Sequence, residues 1–111
     1  MIAVEYVNLT GHPVIIMPED GETVSIPPTG AVLRIAENVR RVDGRAVVEL
    51  GEIAGLPDPV DGTVYVTSMP VLMALAAKGI HRPDLTYPYG RVKADDGRTL
   101  GCRELATLRV A

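Results

Sequence analysis

The chain has 111 residues, enough for one domain whose core needs no metal or disulfide staple. Apolar residues make up 47% and are mostly Val, Leu, Ile and Ala, while Phe and Trp are absent, so broad surfaces for stacking bases or cofactor rings are scarce. A net charge of −3, with nine Arg and two Lys, argues against a general nucleic-acid binder, and no apolar run approaches the length of a membrane span.

The first residues, from Met1 to Tyr6, have no basic segment followed by a long apolar one and do not read as a signal peptide. A cytoplasmic protein is expected. Strands are expected over residues 3–8, then over 15–17 and 23–26, paired across Pro18-Glu19-Asp20-Gly21. Asp and Gly tolerate the positive φ of tight hairpin turns, so Asp-Gly between β-branched runs signals a hairpin. Pro27-Pro28-Thr29-Gly30 reads as a turn, because two prolines cannot continue a ladder. A strand over 32–36 follows, then a hairpin of 40–42 with 46–50 across Asp43-Gly44. Arg40, Arg41 and Arg45 cluster there and read as a solvated tip.

Gly55 to Gly62 is a proline-stiffened connection, and residues 63–67 form the next strand. The segment after it changes period. Ser68 is placed to cap a helix, Pro70 lies in the first turn, and Gly79 can end the helix in the left-handed region, giving a helix over 68–78. Residues 69–77 contain no polar side chain, so the helix should be covered on most sides, partly by a second copy of the chain. Residues 80–91 read as a loop, and a last hairpin pairs 91–94 with 99–103 across Asp95-Asp96-Gly97-Arg98. A further strand is expected near 108–110. Together these elements make residues 1–111 a single domain of mainly β (α+β) class, a small antiparallel barrel or sandwich of hairpins with one short buried helix.

Several segments together carry a resemblance. They are Asn8-Leu9-Thr10-Gly11-His12-Pro13-Val14, Ile26-Pro27-Pro28-Thr29-Gly30, Gly55-Leu56-Pro57-Asp58-Pro59, the stretch from Asp61 to Ser68, and the late Asp96-Gly97 followed by Gly101-Cys102. The chain resembles a group of small, largely uncharacterised bacterial and phage-type proteins, which more often have Pro where this chain has Gly11. The resemblance spans residues 6–105 and implies a small accessory or mobile-element protein. It brings no catalytic residue with it.

The chemistry legible in single residues is sparse. Cys102 follows Gly101 in an expected strand, the setting of a buried structural thiol, and its being alone rules out an intramolecular disulfide. His12 and His81 are isolated and make no metal-binding or catalytic pattern, so no cofactor or metal is expected. Asn8, Thr10 and His12 read as a turn closed by its own side chains, with a pocket rim as the sharper alternative. At Thr67 and Ser68 the strand-to-helix junction has the polarity for an anion, although capping by Ser68 and the missing amide of Pro70 favour a plain cap. Arg82, Asp84, Tyr87, Tyr89 and Arg91 concentrate charge and aromatic surface just beyond the helix, although a local Arg82–Asp84 ion pair with the tyrosines plugging the core edge is the plainer reading. If a ligand site exists, it should lie where Thr67–Ser68 meets these residues. The reading is a non-enzymatic protein that binds a small anionic, nucleotide-like ligand as a homo-oligomer, with no nucleic-acid or membrane partner. A structural or partner-binding protein without a pocket comes second, and a small hydrolase third.

Overall fold

A computed structural model of the chain describes residues 4–109. Among these, β-branched runs punctuated by turn residues form eight strands and one helix: β1 (Glu5–Asn8), β2 (Val14–Ile16), β3 (Val24–Ile26), β4 (Arg34–Val42), β5 (Arg45–Ala54), β6 (Thr63–Val66), α1 (Met69–Ala77), β7 (Leu85–Lys93) and β8 (Thr99–Ala106). The fold is mainly β with one short helix, as the sequence leads one to expect. Ala3 and Val110, at the outer ends of the first and last expected strands, lie outside the described residues. Leu108 and Arg109 do not form a strand.

Six strands form one sheet in the order β1-β6-β7-β8-β2-β3. Its two ends nearly meet. Asn8 bridges Pro28, and the Asn8 carbonyl oxygen accepts from the Thr29 amide at 3.3 Å and the Thr29 hydroxyl at 3.0 Å. The Pro27–Gly30 turn therefore ends β3 as expected and also closes the sheet into a barrel. The longer ladders, β4 with β5 and β7 with β8, are antiparallel, as is the β2–β3 hairpin. The pairings of β1 with β6, β6 with β7 and β2 with β8 are parallel. Parallel neighbours need a crossover connection, and α1 supplies it between β6 and β7.

This crossover corrects the expected loop over 80–91, because β7 begins at Leu85. The prolines that made the segment look irregular are accommodated at its margins. Pro83 precedes the strand, and Pro88 lies beyond the two residues that pair with β6, so its missing N–H faces an open edge. Helix α1 ends as expected: Gly79 has φ +76°, and the Ile80 amide donates to the Leu75 carbonyl at 2.9 Å, closing a Schellman turn. Its start differs from expectation. Ser68 has the extended backbone of a cap, φ −116° and ψ 156°, but its side chain makes no capping hydrogen bond.

Two apolar clusters hold the body together. Val14, Ile26, Val66 and Cys102 come from four different strands and fill the barrel interior. Outside it, Val71, Leu72 and Leu75 of α1 pack on Leu9, Tyr65 and Leu85, and each buried aliphatic side chain contributes roughly 1.5–3 kcal/mol. The same chain thus covers one face of the helix, while Met69 and Met73 stay exposed.

β4 and β5 form a separate two-stranded arm. The expected breaks between 36 and 40 and after 50 do not occur: each strand runs on, with an irregularity between Ile35 and Glu37. Asp43 (φ +51°) and Gly44 (φ +78°) form a two-residue turn of the I′ kind, whose twist suits a hairpin. Ile35 and Ile53 anchor the arm's base on the outer cluster, and Lys78 Nζ donates to the Gly51 carbonyl at 2.9 Å. The radius of gyration is 15.9 Å, against about 13 Å for a compact chain of this length, because the arm projects.

Candidate functional site: a cleft at the ends of the parallel strands

β1 and β6 run side by side and end together at Asn8 and Val66. Asn8 is fully buried and all its side-chain capacity is used. Nδ2 donates to the His12 and Ile26 carbonyls, both at 2.9 Å, and Oδ1 accepts from the Thr10 amide at 2.8 Å and the Thr10 hydroxyl at 2.6 Å. A buried amide so satisfied holds the β1–β2 turn in one shape, and it ties that turn to β3. The self-closed turn read from the sequence is present, and it also forms a rim.

That rim borders a cleft of about 530 Å³. Thr10 and His12 stand on one side, Thr67, Ser68 and Met69 at the start of α1, Tyr87, Pro88 and Arg91 on β7, and residues 99–102 of β8 complete the wall. Thus the two groups proposed separately from the sequence, the His12 turn and the Thr67–Ser68 junction, share one cavity with Tyr87 and Arg91. Among the described residues no Asp or Glu lines it, although the chain carries 14 of them. Arg91 is exposed and has no carboxylate partner among the described residues. His12 Nδ1 lies 2.9 Å from the Pro13 carbonyl oxygen, which can only accept, so Nδ1 carries the proton and Nε2 is the acceptor of the neutral ring.

The start of α1 is more open than a capped helix. With the Ser68 hydroxyl not spent on the backbone, the amides of the first turn keep their capacity to donate, apart from Pro70, which has none. Thr67 is only 2% exposed, yet its hydroxyl has no hydrogen-bond partner among the described residues. No side-chain polar atom among them is both sealed and unpartnered, so what surface Thr67 retains at the cleft includes that hydroxyl.

Four of the sequence-predicted residues do not line this cleft, and one of them is Asn8, which is fully buried within the turn. Arg82 and Asp84 face each other instead: Nε donates to Oδ1 at 2.8 Å and a terminal nitrogen to Oδ2 at 2.7 Å, while that nitrogen also reaches the Pro57 carbonyl at 2.9 Å. The Arg82 hydrogen bonds, opposed by burial, hold the Asp84 carboxyl below the usual carboxylate range, and the same bond raises Arg82. Arg82 borders a smaller hollow of about 360 Å³ with His81 and residues 107–109. It is an internal brace between the Pro57 loop and β7. Tyr89 is exposed and outside the cleft, set edge-on to Tyr87 with ring centroids 6.3 Å apart.

The sequence reading missed the β8 wall and the β2 floor. The signal was Gly101: a Cβ there would stand 2.5 Å from the Ile15 carbonyl oxygen, so this glycine lets β2 and β8 approach at the cleft floor. A lone Gly inside a strand pattern marks such an approach. Cys102, expected as a structural thiol, is buried in the barrel interior and also borders the cleft, and burial pushes its thiol up, away from the reactive thiolate. Among the described residues neither Cys102 nor Ser68 is hydrogen-bonded to an imidazole, and no His/Cys/Asp/Glu group of metal-binding form exists. No described helix is long and apolar enough to cross a membrane. Comparison of the chain with protein-family models, curated proteins and solved structures finds no match.

Proposed function

We propose that the protein is a small, non-enzymatic, cytoplasmic accessory protein of phage or mobile-element type that binds a small anionic ligand in this cleft as a homo-oligomer. The observation that carries the reading is the cleft's polarity: Arg91, the start of α1 and the Thr67 and Ser68 hydroxyls converge with no carboxylate among them. A helix start favours negative charge, and Arg91 adds a charge-assisted hydrogen bond. Met69, Tyr87, Pro88 and Leu100 form an apolar wall, which suits a ligand with an anionic end and a ring or hydrocarbon body, such as a nucleotide. Self-association is supported by the apolar side chains left exposed on α1 and on the arm.

The test is calorimetric titration with a panel of nucleoside mono- and diphosphates and of aromatic and aliphatic carboxylates. At least one member binds at micromolar to submillimolar concentration. Arg91→Ala then weakens that binding about ten- to a hundred-fold, the worth of one hydrogen bond to a charged group. Arg82→Ala leaves the affinity unchanged, because its guanidinium is engaged elsewhere. A panel without binding, or equal affinity in the Arg91 variant, rejects the cleft as an anion site. A cleft that stays empty while the protein captures a macromolecule would favour the partner-binding alternative.

A further inference from the structure

The arm has no layer beneath its outer half. Pairing puts Val39 opposite Val48, Glu37 opposite Leu50 and Arg41 opposite Ala46, all on one face. Val39, Val48 and Leu50 on that face are 58%, 52% and 48% exposed. The opposite face is more polar and carries the Arg40–Glu49 ion pair at 2.6 Å. A two-stranded ribbon is marginal in water unless its apolar face is covered, and here only the base around Ile35 and Ile53 touches the body.

The charges on the molecule indicate what covers it. Arg40, Arg41 and Arg45 stand at the arm's tip against Asp43, and Arg41 and Arg45 have no carboxylate partner among the described residues. The turn joining β2 to β3 has the opposite character: Glu19, Asp20 and Glu22 are exposed, that turn carries no basic residue, and none of the three is ion-paired among the described residues. Val24, half exposed, follows Glu22 by two positions. The arm thus presents Val39 two positions from Arg41, and the hairpin presents Val24 two positions from Glu22. Apolar and charged groups recur at the same spacing with opposite sign.

Resting on the self-association proposed above but not on the ligand cleft, we infer that the arm docks on the acidic β2–β3 hairpin of a second copy of the chain. Arg41 faces Glu22 there, and the Val39–Val48 face covers Val24. A ribbon face of this length measures roughly 30 Å by 10 Å, small for one stable contact. Reciprocal exchange of two arms doubles it, toward the ~800 Å² that each partner contributes to a specific complex. Complementary charges set the register, and the valine face supplies the desolvated centre.

Sedimentation velocity of the full chain across micromolar concentrations tests the inference, with circular dichroism confirming that each variant is folded. The parent associates. Arg41→Glu and Glu22→Arg each weaken association by about tenfold or more, and Val48→Asp does the same from the apolar side. The double variant Arg41→Glu/Glu22→Arg recovers association, because the reversed pair attracts again. A parent that stays monomeric at about 100 μM, below the affinity range of specific pairs, overturns the proposal. So does association unchanged in the arm variants, or lost only in Met73→Glu, which would place the contact on the helix. Single variants that weaken association without recovery in the double variant overturn the assignment of the β2–β3 hairpin as acceptor.

Discussion

Arg82 and Asp84 are two residues apart and mostly buried, and their bidentate contact ties the entry of β7 to the Pro57 carbonyl. Such a pair is a stability element with a defined pH signature. The Asp84 carboxyl titrates below its ordinary value in the folded protein, so its contribution is complete above the unfolded pKa of about 4. It is lost as pH falls through the lowered folded value. Asp84→Asn should therefore reduce stability by about 1.5–3 kcal/mol at neutral pH, the range for hydrogen bonds to charged groups. The gap to the parent should close under acid, below about pH 4. Urea denaturation of both proteins at several pH values measures this, and a gap that persists into acid would mean the pair is not what Asp84 supplies. The Arg82–Asp84 pair was legible from its two-residue spacing, and the limit of reading charge from sequence lies in what that pair implies for Arg91. Arg82 and Arg91 look alike in the chain, but only Arg82 has an acid two positions away within reach, and that acid decides which arginine is spent. The Asn8 turn was legible because its hydrogen bonds are local. Its link to Ile26, eighteen residues on, was not.

At the scale of elements, hairpins were legible and crossings were not. Asp43-Gly44 encodes its own turn, so β4 and β5 find each other without help from the rest of the chain. The parallel pairs β1–β6 and β6–β7 depend on packing of α1, whose all-apolar sequence announces burial but no direction. The meeting of β2 with β8 is the least local of all, joining Ile16 to Cys102. It depends on Gly101, where an added methyl would press on a backbone carbonyl that cannot rotate aside. Gly101→Ala should lower stability by about 1–3 kcal/mol, as overpacking does. It should also shift the chemical shifts of Ile15, Cys102 and the cleft residues, while those of the arm tip stay put. Thermal unfolding together with amide NMR separates the two effects. Unchanged stability would show that β2 and β8 are free to part.

For the whole molecule, the division between body and arm predicts a hierarchy of opening. Barrel and helix share interlocking clusters in which Val66, Leu75 and Leu85 are almost wholly buried, so their amides exchange only when the body unfolds. For an ordinary domain that requires about 5–15 kcal/mol. Beyond the Glu37–Leu50 pair the arm has ladder hydrogen bonds but exposed side chains on both faces. Among the described residues only the ladder, the Asp43-Gly44 turn and the exposed Arg40–Glu49 pair oppose fraying of that ribbon, because each opened pair uncovers little apolar surface that was not already in water. In dilute protein, amides of Val39, Arg41 and Val48 should exchange by local opening, orders of magnitude faster than those of Val66 or Leu85. Raising the protein concentration should slow the arm amides and leave the barrel amides unchanged, because docking covers the first set and adds nothing to the second. Hydrogen exchange at two concentrations, read residue by residue, distinguishes this from a uniformly stable molecule. Arm amides that exchange as slowly as the barrel's in a demonstrated monomer would mean that the ribbon stands on its own turn and ladder, and needs no partner.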